Sequence, residues 1–403
     1  MVYGWGMPRV GWVRPNPDER LSDHMSIGVL TSLFPPELVD DVVQSHARIE
    51  QRSRLMPARL TTYFVLALAL FRSDSYVDVV RQLAAGLDWA TGWQGQWHVP
   101  SSPALTKARA RLGPGVIEEL FRRTAGVAAG GPLVGGLIPV AVDGTVLDIP
   151  DNKANETYFG RPAGRGDGQS AYPQARVVAI AQCGTQTVLE ARISPIRVGE
   201  QTLLPDLFQA LDGTMMLLAD RGFYSYRLWE QALTSGAALC WRMKKNNVLP
   251  VRQTLADGSY LSRIYPDRSS RSRDSNGIDV RVVEYTIDDA DEPIRLITSI
   301  VDHTTANAEQ LARAYRHRWR IETTFNELKT HQGGPGLVLR SRSPDMIEQE
   351  IWGFLCVHLA IRLLIAETAV KSGRDPTDGS FTTALRSVRR TVVTHPGFSP
   401  RCR

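Results

Sequence analysis

Between residues 137 and 243 the chain is built from short apolar runs of strand length: LIPVAVD (137–143), ARVVAIAQC (175–183), TVLEARI (187–193), TMMLLAD (214–220) and AALCWRM (237–243). A helix over residues 201–211 separates the third run from the fourth, and another over 226–233 follows the fourth. Three consecutive strands, a helical crossover and a further strand bury their apolar surfaces best as a mixed sheet with helices packed on it. An α/β core is therefore expected from about residue 131.

The flanking segments read differently. Residues 1–130 carry helix-type apolar clusters at Ile27–Leu38 and Leu60–Phe71, which predicts a helical N-terminal domain. Within it, SSPALTKARARLG places Ser102 to cap, Pro103 at the first helical position and Gly113 just past the end. Its exposed side is expected to carry Thr106, Lys107, Arg109 and Arg111, and a second helix over residues 116–128 would complete a helix-turn-helix-like reader of DNA. Residues 244–293 are polar, rich in Ser, Arg and Asp, and bracketed by β-type runs, so they read as a β-rich insertion. The α/β pattern resumes over 294–372 with IRLITSIVD and a long helix from Ala306 to His331, and 373–403 reads as a basic tail. At 403 residues, two or three domains are expected.

Charge is distributed unevenly. The net charge is only +5, but residues 313–342 hold seven Arg or Lys against Glu322 and Glu327, and residues 371–403 hold seven against Asp375 and Asp378. Basic segments on a near-neutral body point to a polyanion partner. Cys183, Cys240, Cys356 and Cys402 lack metal-ligand or disulfide-framework spacing, and the first residues lack the apolar run of an export signal, so a reducing, cytoplasmic setting is expected. The apolar stretch Ile351–Ala366 is interrupted by His358 and Arg362 and falls short of the ~20 residues that span a bilayer. It reads as a buried helix, and no membrane partner is expected. No Gly-rich loop follows a strand, so no nucleotide cofactor is expected either.

Asp143 and Asp220 each close an apolar run and precede a turn-forming residue pair, the position at which open α/β sheets keep their sites. In AYRHRWRIETTFNELKTH, Tyr315, Arg318, Glu322 and Lys329 lie at offsets that fall within about 60° on a helix. Ile321, Phe325 and Leu328 form an apolar stripe beside them that can dock on a sheet, whereas Glu327 points about 140° away from Glu322. Three carboxylates with nearby cations suit phosphodiester chemistry, in which two hard cations about 4 Å apart activate the nucleophile and stabilise the leaving oxygen. Asp148, Asp151 and Glu156 are rival ligands if the first strand is misread.

The spacing Y-(2)-R-(3)-E-(6)-K, together with VAVDGT and LLADRGFY, resembles the insertion sequence 4 family of DDE transposases. LFPPELVDDVV and ALTKARARLG resemble the N-terminal region of that family, so the likeness covers most of the chain. It implies a ribonuclease-H-like mixed sheet flanked by helices, interrupted by a β-rich insertion. It also implies Asp143, Asp220 and Glu322 as catalytic ligands of two Mg²⁺ (or Mn²⁺) ions, with Tyr315, Arg318 and Lys329 on DNA phosphates. Arg221, following the second Asp, is a further candidate phosphate contact. The implied partners are double-stranded DNA, both terminal inverted repeats and target, bound by a homodimer. Relatives that cleave through a hairpin often hold a flipped base with a Trp in the insertion. None occurs between Trp241 and Trp319, leaving Tyr260, Tyr265 or Tyr285 to stack. Two other readings share these residues: a catalytically inactive transposase-derived DNA-binding repressor, and a nuclease on the same core.

Overall fold

The computed structural model describes residues 27–51, 54–90, 99–131, 133–162, 172–286 and 293–394. The N-terminal segment read against export and the end of the basic tail, with Arg401, Cys402 and Arg403, lie outside them.

Five helices come first: α1 (Pro36–Ser45), α2 (Ala58–Leu70), α3 (Tyr76–Ala90), α4 (Ser102–Leu112) and α5 (Gly115–Thr124). The sheet follows, with β1 (Ile138–Asp148), α6 (Lys153–Phe159), β2 (Gln174–Gln182), β3 (Val188–Pro195), α7 (Glu200–Leu203), β4 (Met215–Ala219), α8 (Tyr226–Leu233) and β5 (Ala238–Arg242). β1 pairs antiparallel with β2 and parallel with β4, β2 pairs antiparallel with β3, and β4 pairs parallel with β5. The resulting order β3-β2-β1-β4-β5 is the ribonuclease-H-like mixed sheet expected.

The segment read as an insertion carries β6 (Gln253–Thr254), β7 (Tyr260–Ile264), α9 (Arg268–Ser272) and β8 (Ile278–Tyr285). These strands do not form a separate sheet. β9 (Ile294–Thr298) pairs with both β5 and β8, so the nine described strands form one continuous sheet ending at β6.

Alternation along the strands feeds two cores. Val140 and Val142 face Leu217, Leu239 and Trp241 on one side, under α8 and the 3-10 segment Leu204–Ala210. Ala141, Met216, Leu218 and Cys240 face the other side, where Ile321, Phe325 and Leu328 dock as their spacing predicted. This second core is shared with the N-terminal helices and with α12 (Pro344–Lys371), which packs on α2 and α5. By length and composition α12 could cross a membrane, but most of its apolar stretch is buried inside the protein.

Several local expectations are corrected. Asp143 does not end its strand: β1 runs on to Asp148, with Asp143 paired to Ala179 and Gly144 to Val178. The Asp-Gly pair suggested a turn, yet the β-branched Thr145 and Val146 continue the ladder. The expected helix over 201–211 is four residues of α-helix followed by a 3-10 segment, since Pro205 cannot donate to the preceding turn. The helix foreseen from Ala306 to His331 is a continuous but uneven rod. It comprises α10 (Ala308–Arg316), a 3-10 turn at His317–Trp319, α11 (Arg320–Asn326) and a π turn at Glu327–Gln332. The residues set apart as a basic tail include α13 (Phe381–Thr394), whose Phe381, Leu385 and Val388 are buried and which packs on α3 and α12.

In α4 the cap position falls on Ser101 rather than Ser102, while Gly113 ends the helix at φ 75°, a conformation that favours glycine. Thr106, Lys107 and Arg111 are exposed as expected. Arg109 is not. It shares a helical face with Leu105, Ala108 and Leu112 and is 1% exposed, bonded to Gln349 Oε1 (2.8 Å), Ser341 Oγ (3.1 Å), the Met346 carbonyl (3.1 Å) and Tyr76. It therefore ties α4 to α12 and cannot read DNA. Arg109→Ala strands these polar partners and is expected to lower stability by about 2–4 kcal/mol. Lys107→Ala is expected to change it by under about 0.5 kcal/mol, both differences being read from urea unfolding midpoints.

Candidate active site

Parallel pairing sets the first two carboxylates side by side. Ala141 of β1 is in register with Leu218 of β4, and the residues two positions further on are Asp143 and Asp220. Asp143 stands within β1, its Oδ1 accepting the Gly144 N–H at 2.8 Å. Asp220 immediately follows β4 and opens a turn in which the Phe223 N–H returns to its carbonyl at 3.0 Å.

The third carboxylate arrives from α11. Arg318, on the 3-10 turn, is nearly buried and reaches both Asp143 Oδ2 (3.2 Å) and Glu322 Oε1 (3.4 Å). Tyr315 Oη donates to Asp220 Oδ1 at 3.3 Å. Lys329 Nζ donates to Thr145 Oγ1 at 3.4 Å, two residues beyond Asp143 on the same face of β1. The three acids and the three helix residues singled out with Glu322 thus gather in one region as three sets of contacts, with the Arg318 guanidinium 5.9 Å from the Tyr315 ring. The acids keep 22% (Asp143), 35% (Asp220) and 44% (Glu322) of side-chain exposure, so they remain reachable from solvent.

Other candidates fall outside it. Arg221 is exposed beside Asp220, and Thr106, Lys107 and Arg111 lie on α4 in the helical region. The rival acids have their own partners: Asp148 accepts from Gln174 at 2.8 Å, and Asp151 and Glu156 both pair with Arg161. Tyr260 and Tyr265 donate their hydroxyls to Glu284 and Asp274. Two residues were missed from sequence. Thr145 partners Lys329, and Arg242 approaches Asp220 Oδ1 at 4.0 Å. Arg242 closes β5 next to β4, so its place at the end of the fifth apolar run was the available signal.

The electrostatics record crowding of negative charge. Burial pushes the Asp143 carboxyl above its usual range; the Gly144 N–H and Arg318 oppose this, and Asp220 adds to it. Glu322 is raised by burial too, with Asp143 and Asp220 reinforcing the shift against Arg318. The Tyr315 phenol is raised well beyond its ordinary value, first by burial and then by the neighbouring Asp220 charge, so it stays a hydrogen-bond donor. All three acids offer hard oxygen ligands, the donor type that divalent cations of the magnesium class prefer. Among the described residues no three acidic, His or Cys side chains are grouped so as to hold a metal ion, and Arg318 stands between Asp143 and Glu322.

A ribonuclease-H-like sheet with this acidic centre is the frame of a DDE-type enzyme, and residues 135–360 match the family described as Transposase DDE domain. Residues 24–122 match Insertion element 4 transposase N-terminal. The chain belongs to the insertion sequence 4 family of DDE transposases, enzymes that cleave and transfer DNA strands and depend on divalent metal. It is similar to the transposase InsG for insertion sequence element IS4 of Escherichia coli, at 26% identity over 381 residues, covering 92% of this chain and 85% of the relative. It is also similar to the putative transposase InsZ of Escherichia coli, at 27% identity over 212 residues, covering 52% of this chain and 68% of the relative. Among solved structures, a piggyBac transposase synaptic complex with hairpin DNA aligns at a TM-score of 0.45 and 12% identity, covering 90% of this chain and 79% of that one.

The raised carboxyls fix a sign. Folded Asp143 and Glu322 hold protons at pH values where the unfolded chain has released them. Their stabilising contribution is thus present below the ordinary carboxylate range and lost as pH rises through the raised values. Asp143→Asn and Glu322→Gln are expected to melt at higher temperature than the wild type at neutral pH, with the gap narrowing in acid. Melting below the wild type at neutral pH would contradict the crowding.

Proposed function

We propose that the protein binds the terminal inverted repeats of its own element, hydrolyses a strand to expose a 3′-hydroxyl, and directs that hydroxyl at target DNA. The reading is supported by one observation: Arg318 contacts both Asp143 and Glu322 while Tyr315, whose ring lies 5.9 Å from the Arg318 guanidinium, contacts Asp220, so acids from β1, the end of β4 and α11 are gathered around one Arg–Tyr pair.

Asp143, Asp220 and Glu322 would hold two Mg²⁺ or Mn²⁺ ions, which when bound lower the pKa of water and neutralise charge on the scissile phosphate. The remaining work belongs to side chains. Arg318 supplies a planar, always charged guanidinium able to grip two phosphate oxygens at once. Tyr315 donates a neutral hydrogen bond beside Asp220, and Lys329 adds a point charge along β1 next to Thr145. Arg242 brings a further positive charge to the Asp220 side. Each strand exchange is an in-line displacement at phosphorus, in which positioning and charge neutralisation carry most of the catalysis. Cutting and joining paired ends calls for two copies of the chain, so a homodimer on the DNA is the expected assembly.

In an assay with a labelled duplex bearing the element's terminus and Mn²⁺ or Mg²⁺, Asp143→Asn, Asp220→Asn and Glu322→Gln are each expected to abolish nicking and strand joining while end binding persists. Chelation by EDTA is expected to do the same to the wild type. Wild-type-like cleavage by any of the three variants would refute the assignment, and hydrolysis without joining would favour a nuclease.

A further inference from the structure

Glu327 belongs to the same rod as Glu322 but faces the opposite way, and it is 4% exposed. It opens the π turn Glu327–Gln332, which also contains Lys329. Its Oε2 accepts from Arg362 Nε at 2.9 Å and lies 3.0 Å from His358 Nε2, while its Oε1 accepts from Arg362 Nη2. His358 and Arg362 stand one turn apart on α12. The first residue of α13, Phe381, covers both: its ring stacks on His358 at 5.0 Å and 29°, and lies 5.6 Å from the Arg362 guanidinium.

Stability alone is a weak reason to build such a cluster. A buried ion pair gains little over well-packed apolar groups, since desolvation consumes most of its attraction. His358 Nδ1 and Arg362 Nη1 are moreover buried without a partner among the described residues. The π turn is an uncommon backbone form that tends to occur at functional sites. The π turn begins five residues after Glu322, Glu327 brings the buried cluster against it, and Lys329 within the turn meets Thr145 on β1.

We infer that Glu327, His358 and Arg362, covered by Phe381, form a positioning strut that holds the π turn and so aims Lys329 and Glu322 at β1. Resting on the catalytic reading of Glu322 and Lys329, it makes Glu327 a positioning residue rather than a ligand. It also joins α13, outside the matched DDE region, to the geometry of the site.

The test uses the full chain with Mn²⁺ and the labelled terminus duplex, comparing Glu327→Gln with the double variant Glu327→Leu/Arg362→Met. Glu327→Gln leaves Arg362 poorly paired; it is expected to melt lower and to cleave about 10- to 100-fold more slowly at saturating DNA, as misplacement on the ångström scale does. The double variant replaces the ion pair by apolar groups and is expected to recover the melting temperature but not the rate, with end-DNA affinity unchanged throughout. Recovery of rate together with melting temperature would reduce the cluster to a structural role and overturn the inference, as would a wild-type rate in Glu327→Gln. Absence of cleavage by the wild type itself would overturn the catalytic reading and this inference together.

Discussion

Everything in the site depends on the parallel pairing of β1 with β4. Register brings Asp143 and Asp220 together, and neither can leave without breaking a ladder or a buried core behind it. Two adjacent carboxylates in a partly buried setting repel each other, and a third from α11 adds to the strain. Arg318 makes the arrangement tolerable by standing among them, nearly buried and touching two of the three.

Much of this was legible in the sequence because it rests on periodicity. Short apolar runs gave the strands and their order of connection, and the offsets of Tyr315, Arg318, Glu322 and Lys329 gave a common face. What stayed hidden depends on contacts between distant segments. Arg109 looked like a surface cation, since nothing local shows that Gln349, Ser341 and Tyr76 will surround it. Asp143 looked like a strand end because Asp-Gly favours turns, whereas β2 across the ladder extends the strand past it. Arg242 and Thr145 were overlooked because their relevance comes from neighbouring strands.

The helical N-terminal region shares one of the sheet's two cores. α12 is the shared element: its N-terminal half receives Arg109 through Gln349, and its middle carries His358 and Arg362 toward the Glu322 rod. Its apolar length, which by composition resembles a membrane span, serves instead as the spine against which α2, α5 and α13 pack. One helix thus joins the helical region to the rod that carries Glu322.

The placement of Asp143 within a long strand gives the site two walls held by different means. Its backbone is clamped by pairing with Ala179 and cannot follow a bound helix of slightly different width. Glu322 stands instead on a rod that mixes 3-10, α and π pitch and is held from behind through Glu327 by His358 and Arg362. The sheet thus acts as an anvil, and the gap between the walls is set by how Ile321, Phe325 and Leu328 seat the rod on it.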